Sequence, residues 1–185
     1  MNNLKIALDL DGTLADIIGL WLSEYNKKNS KRLRYADIVR WDFWSELGYT
    51  ASRFFKELSD CWNKWMDVKP MESNISYTIN QLKNFGMIDI VTARDPRNTF
   101  NVKNWLMMHN INYNNYVLVS YGTDKAELEY DLFIDDSPLN AKKIARYKKR
   151  VILYDQPWNR NIEEDRYIIR IKSLADTLDI IPQLI

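Results

Sequence analysis

Two acidic pairs in this chain are placed where phosphate and cation chemistry would need them. The first lies in DLDGT, Asp9 to Thr13, which closes an apolar run beginning at Leu4. Asp9 and Asp11 emerge two positions apart, and Gly12 allows a sharp turn and a close backbone approach to a ligand. The second lies in FIDD, where Asp135 and Asp136 close another apolar run. Aspartate and glycine also end strands in ordinary turns, so the argument rests on the two pairs together. Adjacent carboxylates repel unless a cation compensates them. Two such pairs, each expected at the carboxyl end of a strand, predict a shared hard cation, and an all-oxygen ligand set suits Mg²⁺. No cysteine–histidine cluster is present to suit zinc. A calcium loop is excluded: it needs glycine sixth and glutamate twelfth, whereas counting from Asp9 places Gly12 fourth and Leu20 twelfth.

Two other residues fit the same chemistry less specifically. Thr92, in IDIVTARD, offers a hydroxyl beside the backbone N–H groups of the following turn, and together these can hold a phosphate oxygen. A threonine there caps a helix equally well. Lys125 stands ahead of Asp135; taken alone it reads as an ordinary surface lysine. His109 is the only histidine and is expected at a helix end, so serine–histidine catalysis has little support.

The elements that must position these residues alternate in type. Apolar runs at Leu4–Leu10, Met87–Val91, Tyr116–Ser120, Leu132–Ile134, Val151–Tyr154 and Tyr167–Ile171 read as strands buried on both faces. Helical spacing falls between them: Tyr77 to Phe85 with Gly86 as the stop, Val102 to His109, Leu139 to Tyr147, and a last helix over Leu174–Leu184. Alternation of this kind predicts crossover units and a parallel sheet, with the ligand site beyond the carboxyl ends of the strands. One interval breaks the rhythm. Between the first two strands lie helical patterns at Ile17–Lys27 and Arg53–Trp65, joined by the aromatic stretch Trp41–Trp44. We read residues 15–74 as a helical cap, and 1–14 with 75–185 as the core.

Bulk properties narrow the class. The 185 residues are 46% hydrophobic and 28% charged, which is ordinary for one domain with a small insertion. A formal net charge of +1 gives no reason to expect a nucleic-acid or membrane partner. The single cysteine, Cys61, permits no intramolecular disulfide, and no export signal is evident before the first strand, so a cytoplasmic location is expected. Seven tryptophans and eleven tyrosines are an unusual load, for which core packing is the ordinary explanation.

The order strand–DxDGT, strand–T, then K…DD resembles the haloacid-dehalogenase-like phosphatases over nearly the whole chain. The stretches DLDGTLAD with WLSEYN, DIVRWDF, TARDP ahead of NWL, and LYDQPWNRN bring it closest to the 5′(3′)-deoxyribonucleotidases. The resemblance implies a Rossmann-like three-layer α/β/α core with a small helical cap after the first strand. It implies Asp9 as nucleophile and Asp11 as general acid, then base. Thr92 and Lys125 would hold the phosphoryl oxygens, with Arg94 meeting phosphate or cap; the animal enzymes commonly carry another residue at that last position. Asp9, the carbonyl of Asp11 and one of Asp135 or Asp136 would bind Mg²⁺, with Asp136 favoured. Phe43, Trp44 and Trp65 in the cap would stack on a base. The implied activity is hydrolysis of nucleoside, especially deoxyribonucleoside, 5′-monophosphates. Phosphatase action on a sugar phosphate or phosphoglycolate, or a non-enzymatic binding role, are the alternatives.

Overall fold

The computed structural model describes residues 4–120 and 124–184. Six strands form one sheet: β1 (Leu4–Leu8), β2 (Gly86–Thr92), β3 (Asn115–Leu118), β4 (Leu132–Asp135), β5 (Arg150–Tyr154) and β6 (Ile168–Ile171). All neighbours are parallel, in the order β3-β2-β1-β4-β5-β6. The chain builds outward from β1 through β2 and β3, then returns to the other side of β1 with β4. Where that direction reverses, the connections leave toward opposite faces and open a crevice at the carboxyl ends of β1 and β4.

Both faces of the sheet are apolar, so both must be covered. Ile6, Leu8, Ile88 and Ile90 point to one face, under α3 (Ile75–Leu82) and α4 (Thr99–Met108). Ala7, Phe133, Val151 and Leu153 point to the other, under α5 (Pro138–Arg146). The expected three layers are present. Helix α5 starts where Ser137 accepts from the Asn140 N–H and Pro138 occupies the first turn, so the chain turns abruptly after Asp136.

The cap holds α1 (Ile17–Asn29) and α2 (Ala51–Cys61) with short 3₁₀ turns. Asp16 caps α1 by accepting from the Gly19 N–H at 2.8 Å. The cap's aromatic residues pack on one another: the Trp21 ring lies 5.0 Å from Tyr25, 5.8 Å from Phe43 and 5.1 Å from Phe54. Its two connections to the sheet are tied together, Asp16 N to the Lys69 carbonyl and Met71 N to the Leu14 carbonyl, each at 2.8 Å. Among the described residues no helix is long and apolar enough to cross a membrane.

Three elements differ from their expectation. Gly86 opens β2 rather than stopping a helix: it pairs with Leu4, and a Cβ there would lie 2.0 Å from the Leu4 carbonyl oxygen. The helical pattern of Arg53–Trp65 ends at Cys61, and Trp62–Asp67 continues as a 3₁₀ segment broken at Lys64 (φ −105°, ψ 39°). The segment expected as one helix to Leu184 is three short pieces: a 3₁₀ turn at Leu174–Asp176, α6 (Thr177–Ile180), and a 3₁₀ turn at Ile181–Gln183. Pro182 has no N–H for an α-helical bond and crowds the turn before it.

Candidate active site

The acidic pairs meet at the crevice between β1 and β4. The Asp9 N–H donates to the Ile134 carbonyl at 2.9 Å, extending the β1–β4 ladder by one residue. Asp135 ends β4 and Asp136 follows it. One carboxylate oxygen from each of Asp9, Asp135 and Asp136 lies within 4.8 Å of the others, and all three residues are buried.

Lys125 belongs to a 3₁₀ turn at Lys125–Glu127, which Asp124 caps by accepting from the Ala126 N–H. It is not a surface lysine. Only 6% exposed, it donates from Nζ to Asp9 Oδ1 at 2.5 Å and to Asp135 Oδ2 at 2.9 Å. Burial alone would lower its pKa, but Asp135 and Asp9 outweigh it and hold the ammonium charged. Burial pushes the Asp9 carboxyl up to about 7, against the pull of Lys125 and with repulsion from Asp135 added. Burial also drives Asp136 well above the ordinary carboxylate range, with Asp9 and Asp135 contributing. Three buried carboxylates thus face one buried ammonium. The surplus negative charge and the purely oxygen donor set fit a hard divalent cation.

The adjacent acids are held differently. Asp135 accepts from Ser137 N at 2.8 Å, from Asn140 Nδ2 at 2.9 Å and from Lys125, so three donors are spread over its two oxygens. Asp136 accepts from Trp158 Nε1 at 2.9 Å and from Thr13 Oγ1 at 3.5 Å. It packs directly on the loop after β1. A Cβ on Gly12 would sit 2.5 Å from Asp136 Oδ2, and Gly12 has φ +82°, so only glycine suits that position.

Asp11 faces the cap side. Arg94 donates to its Oδ2 from Nε at 2.7 Å and also from Nη2, and Trp62 of the cap donates from Nε1 to Oδ1 at 3.0 Å. Arg94, expected at a phosphate or the cap, therefore pairs here with the second acid of the motif. Thr92 ends β2 at 2% exposure. Because Leu8 pairs with Ile90, Thr92 lies level with the loop that carries Asp9 and Asp11.

Of the three cap aromatics expected at a base, two are buried and Trp65 is partly exposed. Phe43 and Trp44 are buried among other aromatic rings of the cap: Trp44 stacks on Phe54 at 4.6 Å, and Phe43 meets Phe54 edge-on at 5.1 Å. They do not present an open face for a base, because α2 supplies Phe54 as their packing partner. Trp65 is partly buried against the hydrophobic core. Instead Trp62, fully buried and edge-on to Trp105 at 6.0 Å, reaches the acidic loop. In sequence Trp62 is only one residue within the helical pattern of Arg53–Trp65; the signal available is its indole N–H, which when buried needs an acceptor.

Comparison with known proteins identifies the family. The family model described as "5′ nucleotidase, deoxy (Pyrimidine), cytosolic type C protein" matches residues 2–185. A 5′(3′)-deoxyribonucleotidase of Bacillus subtilis is 27% identical over 166 residues, covering 88% of this chain and 90% of the relative. One from Clostridium acetobutylicum is 26% identical over 172 residues, covering 91% and 89%. In fold, a haloacid dehalogenase-like family hydrolase from Streptococcus pneumoniae superposes with a TM-score of 0.67 at 15% identity, over 97% of this chain and 98% of that one. With its acids gathered at the switch point of a parallel sheet, the chain belongs to the 5′ nucleotidase, deoxy (pyrimidine), cytosolic type C family, phosphoric monoester hydrolases on the haloacid-dehalogenase-like fold.

Proposed function

We propose that this protein hydrolyses nucleoside 5′-monophosphates, deoxyribonucleotides foremost, with Mg²⁺ bound and through a phosphorylated Asp9. The observation that carries the reading is the gathering of Asp9, Asp135 and Asp136 around one point with Lys125. Asp9, Asp136 and the backbone carbonyl of Asp11 would hold the cation, and Asp135 would hold Lys125 and the start of α5. When bound, the cation supplies charge neutralisation at the phosphoryl oxygens.

The residues then divide the work. A carboxylate oxygen of Asp9 attacks phosphorus, forming an acyl phosphate while the bond from phosphorus to the ester oxygen breaks. Lys125 and the hydroxyl of Thr92 bind the phosphoryl oxygens, whose charge grows in a loose transition state. Asp11 gives its proton to the leaving ester oxygen. It next takes a proton from water, whose oxygen bonds to phosphorus as the Asp9–phosphorus bond breaks, releasing inorganic phosphate. Asp11 must first be released from Arg94 and take up, from the entering phosphate monoanion or from water, the proton that it delivers. A substrate phosphate competes for that guanidinium, so its arrival frees Asp11 and recruits Arg94 to the phosphate.

We take residues 15–74 as the closing unit over the site. Near-neutral charge and the single free, buried Cys61 favour a small-molecule substrate in a reducing cytoplasm. The deciding experiment is a panel of phosphate monoesters assayed with Mg²⁺. Nucleoside 5′-monophosphates should be turned over best and Asp9→Asn should abolish all turnover. Sugar phosphates or phosphoglycolate hydrolysed as well as nucleotides would remove the substrate assignment, and an active Asp9→Asn protein would remove the mechanism.

A further inference from the structure

The turn after β5, Gln156 to Asn159, reaches the acidic site with three side chains. Trp158, 4% exposed, donates its indole N–H to Asp136 Oδ2 at 2.9 Å. Asn159 donates from Nδ2 to the backbone carbonyls of Asp136 and Tyr154, both at 2.8 Å. Gln156 donates from Nε2 to the Gly12 carbonyl at 2.7 Å. Asp136 is thus gripped at its carboxylate and at its own peptide, while the loop of Asp9 and Asp11 is gripped at Gly12. The turn itself is braced from β6: Arg170 donates to Asn159 Oδ1 at 2.7 Å and to the Ile162 carbonyl at 2.7 Å.

The cap touches the same turn. Tyr35, in a 3₁₀ turn at Tyr35–Asp37, donates its hydroxyl to Gln156 Oε1 at 3.1 Å, and its ring lies 5.5 Å from the Trp158 ring. The amide of Gln156 is therefore shared, its oxygen on the cap and its nitrogen on the loop after β1. Reversing that amide would set Oε1 against the Gly12 carbonyl, two acceptors face to face, so the orientation follows from the network.

We propose that the Gln156–Asn159 turn is the positioning element of the cation site, and that Tyr35 ties its setting to the seating of the cap. The proposal rests on the reading of Asp9 and Asp136 as cation ligands. Asp136 is buried beside two other carboxylates that repel it. The Trp158 N–H occupies one lone pair of Oδ2 and the Thr13 hydroxyl reaches Oδ1 at 3.5 Å, which keeps the group turned inward and still leaves it lone pairs for a cation. Seating of the cap adds the Tyr35 bond, which holds Gln156 in the orientation that restrains Gly12 and, next to it, the carbonyl of Asp11. Groups that orient ligands in this way commonly change metal affinity by about 10–100-fold when removed.

The test is calorimetric titration of Mg²⁺ into the full chain, alongside melting temperatures without metal and nucleotide KM. Trp158→Phe should bind Mg²⁺ about tenfold more weakly at little-changed nucleotide KM. Trp158→His, which keeps a ring N–H, should recover part of the affinity. Tyr35→Phe, which keeps the ring but loses the hydroxyl, should weaken Mg²⁺ about threefold, the size of one net hydrogen bond. Trp41→Phe, at a cap tryptophan whose ring meets Trp44 edge-on at 6.3 Å, should leave affinity unchanged. Parent-like affinity in Trp158→Phe overturns the positioning role, and parent-like affinity in Tyr35→Phe overturns the link to the cap. A parent protein that binds no Mg²⁺ overturns both this proposal and the cation reading beneath it.

Discussion

At the scale of single residues, Asp135 and Asp136 are neighbours with opposite dispositions. Asp135 has three donors on two oxygens, one of them the buried Lys125. Its removal leaves an ammonium with one partner and two orphaned donors, so Asp135→Ala should lower folding stability by about 3 kcal/mol, seen in denaturant titration. Asp136 is a buried carboxylate raised far from its ordinary pKa, first by burial and then by Asp9 and Asp135. Asp136→Asn keeps an acceptor for Trp158 but removes that unfavourable charge. Metal-free protein with this change should melt at or above the parent temperature while losing the Mg²⁺-induced rise. If both variants destabilise equally and both still respond to Mg²⁺, the division between support and ligand is wrong. The acidic motifs were legible in sequence because type and spacing alone carried them. The partners of Lys125 and Asp11 were not, because Lys125, Arg94 and Trp62 come from separate elements and only the fold joins them.

At the scale of elements, strands were readable because burial on both faces leaves consecutive apolar residues, as in Val151 to Tyr154. Glycine was the ambiguous sign. Gly86 follows a helical pattern and so reads as its stop, yet its role is a close approach of β2 to β1. A methyl group there would meet the Leu4 backbone, and β1 carries Asp9 to its place. Gly86→Ala should therefore cost about 1–3 kcal/mol, the range for overpacking a rigid contact, and should lower kcat as well as stability. Circular-dichroism melts and single-turnover rates check the two halves; a variant with parent stability would mean the strands can part without loss. The cap was legible as a helical insertion, but its aromatic residues were not sortable into pocket and core. Trp44 and Trp62 have similar surroundings in sequence, and only α2 packing on the first and Asp11 facing the second separates them.

At the scale of the whole molecule, the charge imbalance at the switch point makes stability depend on pH and cation together. Asp9 has a folded pKa raised to about 7 by burial, against an ordinary value of 3.8. The native state then keeps a proton that the unfolded chain has already released, so this group's contribution is greatest below pH 4 and is lost as pH rises through 7. Asp136 acts in the same direction. His109 acts the other way: burial lowers its pKa, so the native state binds fewer protons and its contribution grows with pH up to the ordinary histidine range. The metal-free melting curve mixes these opposing effects, whereas the increment given by Mg²⁺ does not, since a cation at the carboxylates selects their ionised forms and leaves His109 untouched. That increment should be small at pH 5.5 and rise through pH 7, with protons released on binding. Calorimetry in buffers of different ionisation enthalpy reads the proton count directly. An Mg²⁺ increment that is flat across this range would mean that the carboxylates are already ionised without the cation, and that Lys125 alone balances the site.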